Sequence, residues 1–422
     1  MPVNQFVAKS HVLHRALAYE PQKIVSGSGI SFTLESGKVV YDASAGPSVS
    51  VLGHHQPEVT KAIVDQLDKI AYVYSGSRYT CDAAESLATE LLKDAPGGLV
   101  KAIFVNSGSE ATDAALKLAT QYFCEVGQPK RINFIARKQS YHGNTLGALS
   151  VSGHESRRAY YRPWIANNVS FVDPCYSYRA KGESETDAQY VERLKLQLED
   201  EFLRLGPDTI MCGMGKTGTM HAWEQEGIRG PDIQMIGKAL GGGFVPLSGV
   251  LLNQKVFDGL AEGTMVLAHG HTFQAHPTAC AAALAVQKII KRENILDHVA
   301  SMGRLLEAEL NKEIGPLAHV GNIRGRGLFW AVEFMRDAAT KTPFPVEHNF
   351  SNRIVEVAAE LGLNVLGNLG KTGKIDVELV ILAPPYIVTE EEIKAIVGIL
   401  KKAILAVTEE HVVRYGINGF HK

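Results

Sequence analysis

From Pro57 onward the chain alternates short apolar runs with longer stretches of helical period, and this alternation restricts the fold more than any other feature. Val59, Ile63, Leu67 and Ile70 recur every three or four residues, which predicts a helix over Pro57–Tyr72. Thr80 is placed to cap a second helix carrying Ala83, Leu87, Leu91 and Leu92. Strands are expected at Ala102–Val105, Ile132–Ala136, Val169–Val172, Ile233–Ile236 and Leu247–Leu252. Helices are expected from about Ser109 and over Ala188–Leu205. Strands alternating with helices pair in parallel under a helical cover. The expected fold class is α/β, with a large domain over 51–296 built on a mostly parallel sheet. A smaller α+β domain is expected from 1–50 and 297–422, with a hairpin at Ser31–Glu35 and Lys38–Asp42 and strands at Leu328–Phe334 and Val377–Leu382. Helices at His276–Lys291 and Leu296–Ile314 lead into it.

A chain of 422 residues buries a large core, and a net charge of −2 with mixed signs leaves no footprint for nucleic acid or an anionic membrane. No stretch approaches the length of a membrane span. The five cysteines are odd in number, scattered and without a CxxC pair, which argues against a disulfide framework and a structural zinc site. A small-molecule substrate and a cytoplasmic address are therefore expected.

Lys238 follows the apolar run Asp232–Gly237 and precedes Ala-Leu-Gly-Gly-Gly (Ala239–Gly243). A lysine at the C-terminal end of a strand in an α/β sheet stands where ligands bind. Partly desolvated, it loses its proton more readily and can form a Schiff base with an aldehyde. A Gly-Lys dipeptide alone more often marks only a solvated strand end. Phe104-Val-Asn-Ser-Gly-Ser-Glu-Ala111 reads as strand, polar turn and helix, an anion cradle in which Ser107, Gly108 and Ser109 supply donors, or else a well-capped helix. Ser140-Tyr-His-Gly-Asn144 follows a strand and offers Tyr141 and His142 to a planar ligand, or places them in a surface loop. His269-Gly-His-Thr-Phe273 precedes an alanine-rich helix, and Thr272 offers a hydroxyl to a phosphate.

These four segments, in this order, resemble the class III (omega-type) aminotransferases of the pyridoxal-phosphate fold type I, over about Ile24–Thr408. Gly53–Val59, the run from Gly213 to Gly218, Ala222–Gly227, Arg324–Leu328 and Leu382–Pro385 add to the likeness. The resemblance implies a transaminase that moves an amino group between a small-molecule amine donor and a carbonyl acceptor, with pyridoxal 5'-phosphate on Lys238. It implies Gly108 and Ser109 at the phosphate, Tyr141 over the ring, and a homodimer in which Thr272 reaches the neighbouring cofactor. It leaves open a decarboxylase, an aminomutase, a phospho-lyase, or a remnant that only binds. Tyr74 is a candidate to line the substrate pocket, as are Tyr72 and Trp164.

The likeness breaks near Ile210. The family carries a strand, a helix and a second strand before its counterpart of Gly213–Gly218, and that second strand ends in an aspartate which pairs with the pyridine nitrogen. Here Leu205–Ile210 resembles the start of the first strand and runs directly into Met211–Gly215, which resembles the end of the second. About forty residues are missing from this stretch by ordinary element and loop lengths. Asp208, 30 residues before Lys238, is the candidate substitute for the lost aspartate. Where relatives have a carboxylate-binding arginine, Lys374 is the nearest cation. Gly215-Lys216-Thr217 lacks the upstream glycine of a phosphate loop, because Ile210 stands there. His269, His271 and His276 form the weaker candidate for a metal group.

Overall fold

The structure is a computed structural model that describes residues 4–205, 210–212, 214–367, 373 and 377–416. After a short helix at Gln5–Lys9 come three short strands, β1 (Ile24–Ser28), β2 (Ser31–Leu34) and β3 (Val39–Asp42), joined as antiparallel neighbours. The expected hairpin is thus present as β2–β3. The helix Pro57–Lys69 begins with proline at its first position, where the missing amide costs nothing. The next helix, Asp82–Leu91, starts after Cys81, whose side chain makes no cap. Thr80 does not cap it either, because its hydroxyl is drawn off to the Glu85 carboxylate at 2.8 Å.

The central region supplies β4 (Leu99–Val105), β5 (Phe134–Arg137), β6 (Val169–Val172), β7 (Ile210–Cys212), β8 (Ile233–Ile236) and β9 (Ser248–Asn253). Four of them form one sheet in the order β4-β9-β8-β7, while β5 and β6 pair separately. β7 pairs with β8 in parallel, as β5 does with β6, whereas β9 is antiparallel to both β4 and β8. That reversal follows from the connection: the turn 238–247 contains no crossover helix long enough to return the chain to the opposite end. Among the described residues the sheet ends at a three-residue strand, and β5–β6 form a sheet of their own.

One face of the four-stranded sheet packs on the helix Gly108–Glu125 through Ala111, Ala115, Leu118 and Tyr122. The opposite face packs on Asp82–Leu91 and Pro277–Arg292 through Leu87, Cys280 and Ala283. The C-terminal third forms the sheet β10-β11-β14-β13, from Val320–Arg326, Phe329–Phe334, Glu378–Leu382 and Leu366–Gly367. β12 (Leu363–Asn364) adds in parallel to β3, which ties the N-terminal hairpin to this third. The long helix Glu390–Tyr415 covers it, started by a capping box between Thr389 and Glu392.

Candidate functional site

β4 and β8 both run against β9, so their C-terminal ends reach the same edge of the sheet. Val105 pairs with Ser248 and Ile236 with the adjacent Gly249. The segments after them therefore emerge two strands apart, about 10 Å at ordinary strand spacing. One of these segments carries Ser107–Ser109 and the other carries Lys238.

Ser107 is the N-cap of the helix Gly108–Glu125. Its hydroxyl oxygen accepts the Glu110 amide at 3.2 Å, and the Glu110 carboxylate accepts the amides of Asn106 at 2.8 Å and Ser107 at 3.2 Å. Gly108 and Ser109 occupy the first turn, where amides have no intrahelical acceptor. A Cβ built on Gly108 would meet nothing within 4 Å, so there is open room beside this turn. Free amides at the positive end of a long helix fit a phosphate.

The Tyr141 loop is fastened to this cradle. The Asn144 amide donates to Ser109 Oγ at 3.0 Å, and the Ser109 hydroxyl donates to Asn144 Oδ1 at 3.0 Å. His142 donates its amide to Ser152 Oγ and accepts the Thr112 hydroxyl on its carbonyl, each at 2.8 Å. Burial pulls the His142 ring below its ordinary pKa. Gly143 lies at φ +143°, and a Cβ there would fall 2.6 Å from Ser109 Oγ, so glycine is required for the close approach. The Tyr141 ring is 49% exposed, with the edge of His154 at 6.4 Å and the Arg157 guanidinium 4.7 Å from its centroid.

Lys238 is exposed and adopts φ +49°, a left-handed conformation uncommon for a residue with a side chain. Such a conformation persists where the surroundings impose it. Gln287, buried in the helix Pro277–Arg292, donates to the carbonyls of Ala239 at 3.1 Å and Leu240 at 3.0 Å and so fixes the turn from below. Sequence reasoning passed over Gln287, although a polar residue amid Ala282, Val286 and Ile290 was a visible signal. Lys216 lies close enough to Lys238 and Asp42 to feel their charges. Its amine donates to the carbonyls of Ala383 at 3.0 Å and Pro384 at 2.6 Å, so it serves the docking of two segments rather than a nucleotide.

Thr272 is exposed, and its carbonyl accepts the Tyr72 hydroxyl at 2.6 Å. Tyr74 is exposed with its ring folded over Gly76, and none of the other candidate residues is bonded to it. His269 and His271 lie edge to face at 4.9 Å, and the Nε2 atom of each is buried without a partner. Asp208 and Lys374 lie outside the described residues. Gly373 is described, and it sits against the Gln139 side chain, two residues from Tyr141.

A sequence model of the class III aminotransferases matches residues 16–204 and 199–404. An uncharacterised aminotransferase of Schizosaccharomyces pombe is 38% identical, covering 94% of this chain and 95% of the relative. An aminotransferase of Gibberella zeae is 34% identical over 93% of this chain and 86% of its own. The crystal structure of the omega transaminase of Pseudomonas jessenii in complex with PMP superposes with a TM-score of 0.88 at 26% identity, covering 98% and 99% of the two chains. The alignment to the S. pombe protein runs over 438 residues, whereas 94% of 422 is about 397. About forty positions of that relative therefore stand opposite nothing here.

Proposed function

Because the chain belongs to the class III aminotransferases, which are pyridoxal-phosphate enzymes, we propose that Lys238 is the residue that carries the cofactor, beside a phosphate cradle at Ser107–Ser109. The observation that supports this most is the placement of the two segments at one edge of the sheet, on either side of β9. When bound, the cofactor supplies an aldehyde that accepts amino groups and a ring that stores an electron pair. In this reading the amides of Gly108 and Ser109 hold the phosphate. Tyr141 covers the ring from its loop, and the backbone of His142 keeps that loop in place. The Lys238 amine, released by an incoming amine donor, takes a proton from the substrate carbon and returns it during transfer to a carbonyl acceptor.

We assign the working form to a homodimer. Thr272 sits on a partly exposed aromatic surface with Tyr72 and Phe273, and a second copy would cover that surface and bring Thr272 to the neighbouring phosphate. The scattered cysteines fit the cytoplasm.

Purified protein given pyridoxal phosphate is expected to gain a visible absorption band that borohydride fixes on Lys238. A Lys238→Ala variant that keeps the same band and label would refute the assignment. Sedimentation of a stable, cofactor-loaded monomer would refute the dimer.

A further inference from the structure

We propose that a cavity behind the Lys238 turn binds a small neutral molecule, a flat apolar body with one N–H or O–H donor, and that its occupancy steadies the turn. The cavity measures about 250 Å³ and lies between the helices Asp82–Leu91 and Pro277–Arg292 and the loop after β7. It is on the sheet face opposite the helix Gly108–Glu125, and neither Ser107–Ser109 nor Tyr141 lines it. Binding there does not depend on which residue carries the cofactor.

Ile236 and Leu251 of the sheet, with Gln287 beside them, form a buried floor. Leu91, Met214, Met220 and Ile290 make the sides apolar, and the two thioethers can shift to fit a guest. His221, buried in the lining, is pulled below its ordinary pKa by burial, and its Nδ1 accepts the Gln234 amide at 2.9 Å. At the rim Lys93 and Asp94 are exposed, and Lys291 is paired with Glu90 at 3.1 Å. The interior thus offers an ion no counter-charge, which selects a neutral guest.

Gln287 specifies the donor. Its amide nitrogen donates to the carbonyls of Ala239 at 3.1 Å and Leu240 at 3.0 Å. That fixes the orientation of the amide, since its oxygen, turned over, would face two acceptors. Oε1 is left buried without a donor, in a residue only 3% exposed. Buried amide oxygens are nearly always hydrogen-bonded in a working state. An apolar cavity of about 150 Å³ already holds benzene, so this one admits a fused bicyclic ring on the order of ten atoms. A donor on Oε1 polarises the amide and strengthens both bonds from its nitrogen. Those bonds hold the two residues after Lys238, whose left-handed backbone needs such support.

Indole and benzothiophene, alike in shape but with and without an N–H, are the probes, titrated calorimetrically into protein loaded with pyridoxal phosphate. Indole is expected to bind about tenfold more tightly, the worth of one neutral hydrogen bond to a buried acceptor. Met220→Trp and Ile290→Phe fill the cavity from different walls, and each should weaken indole by a similar factor while keeping a cooperative melt. Amide hydrogen exchange at Ala239–Gly243 should slow when indole is added to the wild type, and not in the filled variants. Equal affinity for the two probes overturns the proposal, as does indole binding that neither substitution weakens. No binding, with water alone in the cavity, overturns it as well, and so does exchange at Ala239–Gly243 that indole leaves unchanged.

Discussion

The Lys216 ammonium lies 5.1 Å from the centroid of the Tyr386 ring, and its hydrogen bonds to Ala383 and Pro384 join the loop after β7 to the turn after β14. Tyr386 returns the tie by donating to the Met214 carbonyl at 2.7 Å. Burial pulls the Lys216 pKa down to about 7, resisted by Asp42 and reinforced by Lys238.

A lysine depressed in the folded state is neutral there while still charged in the unfolded chain, so the unfolded state binds the extra proton. Stability should therefore rise with pH from about 7 toward the unfolded value of 10.5, and below that window the full Lys216 penalty remains without further pH dependence. The buried Cys280 thiol, pushed up to about 12, works in the opposite direction above the ordinary thiol value of 9.0, so the comparison is best kept below pH 9. Thermal midpoints at pH 7 and 8.8 should rise more in wild type than in Lys216→Met. Equal pH dependence in the two proteins would remove Lys216 as the cause.

A second pH response is expected from the histidines under the C-terminal helix. His411 is 4% exposed, its Nε2 lies 2.8 Å from His348 Nδ1, and its ring is 5.8 Å from that of His319. Burial, helped by the charges of His348 and His319, lowers its pKa to about 4. The stabilising contribution of neutral His411 is complete above the unfolded value of 6.5 and is lost as pH falls toward 4. One proton contributes a slope of at most about 1.4 kcal/mol per pH unit. Denaturant melts of His411→Phe between pH 4 and 6.5 should have a shallower slope than wild type. A slope unchanged by the substitution would place the titration elsewhere.

Gly143→Ala tests the junction between the Tyr141 loop and the cradle. The new methyl would lie 2.6 Å from Ser109 Oγ and 2.8 Å from Ala148 Cβ, at a backbone angle that side chains rarely adopt. Overpacking of this kind costs about 1–3 kcal/mol. The variant is expected to fold with a lower melting temperature and to release pyridoxal phosphate faster on gel filtration. Retention equal to wild type would show that the cradle is independent of the loop.

Where the sequence is most regular, the elements are where it places them. Val169–Val172 and Ile233–Ile236 are short apolar runs between turn residues, and both are strands with those ends. Residues 132–136 were less distinct: Ile132 and Asn133 fall outside the strand, which runs Phe134–Arg137. Thr80 was misread because hydroxyl-to-backbone capping competes with a side-chain partner, and Glu85 wins. The cradle, Lys238 and the Tyr141 loop were legible because each sits at a strand end, where chain order sets position. Lys216 was not, since its partner, the Ala383–Tyr386 turn, is brought to it only by tertiary packing. Whether Tyr74 lines the site is likewise a matter of packing rather than of pattern.

We expect the break in the family likeness at Ile210 to govern how much turnover this chain supports. Two signs lie near it: the family match divides at 199–204, and among the described residues the sheet stops at β7. If a strand is missing between β7 and the β5–β6 pair, both edges are left unpaired, and unpaired amides and carbonyls inside a fold are costly. The same stretch should carry the carboxylate that keeps the cofactor's ring nitrogen protonated, and without it the ring holds an electron pair poorly. We therefore expect the 422-residue chain to take up pyridoxal phosphate on Lys238 yet transfer amino groups far more slowly than a version with the segment restored. The measurement is amino transfer from a series of amines to pyruvate by both proteins, alongside sequencing of the transcript across the codons for Ile210 and Met211. Restored turnover together with a continuous transcript that contains the extra codons would establish the missing segment. Robust transfer by the 422-residue chain, abolished by Asp208→Ala, would show instead that Asp208 meets the ring nitrogen and that the gap is tolerated.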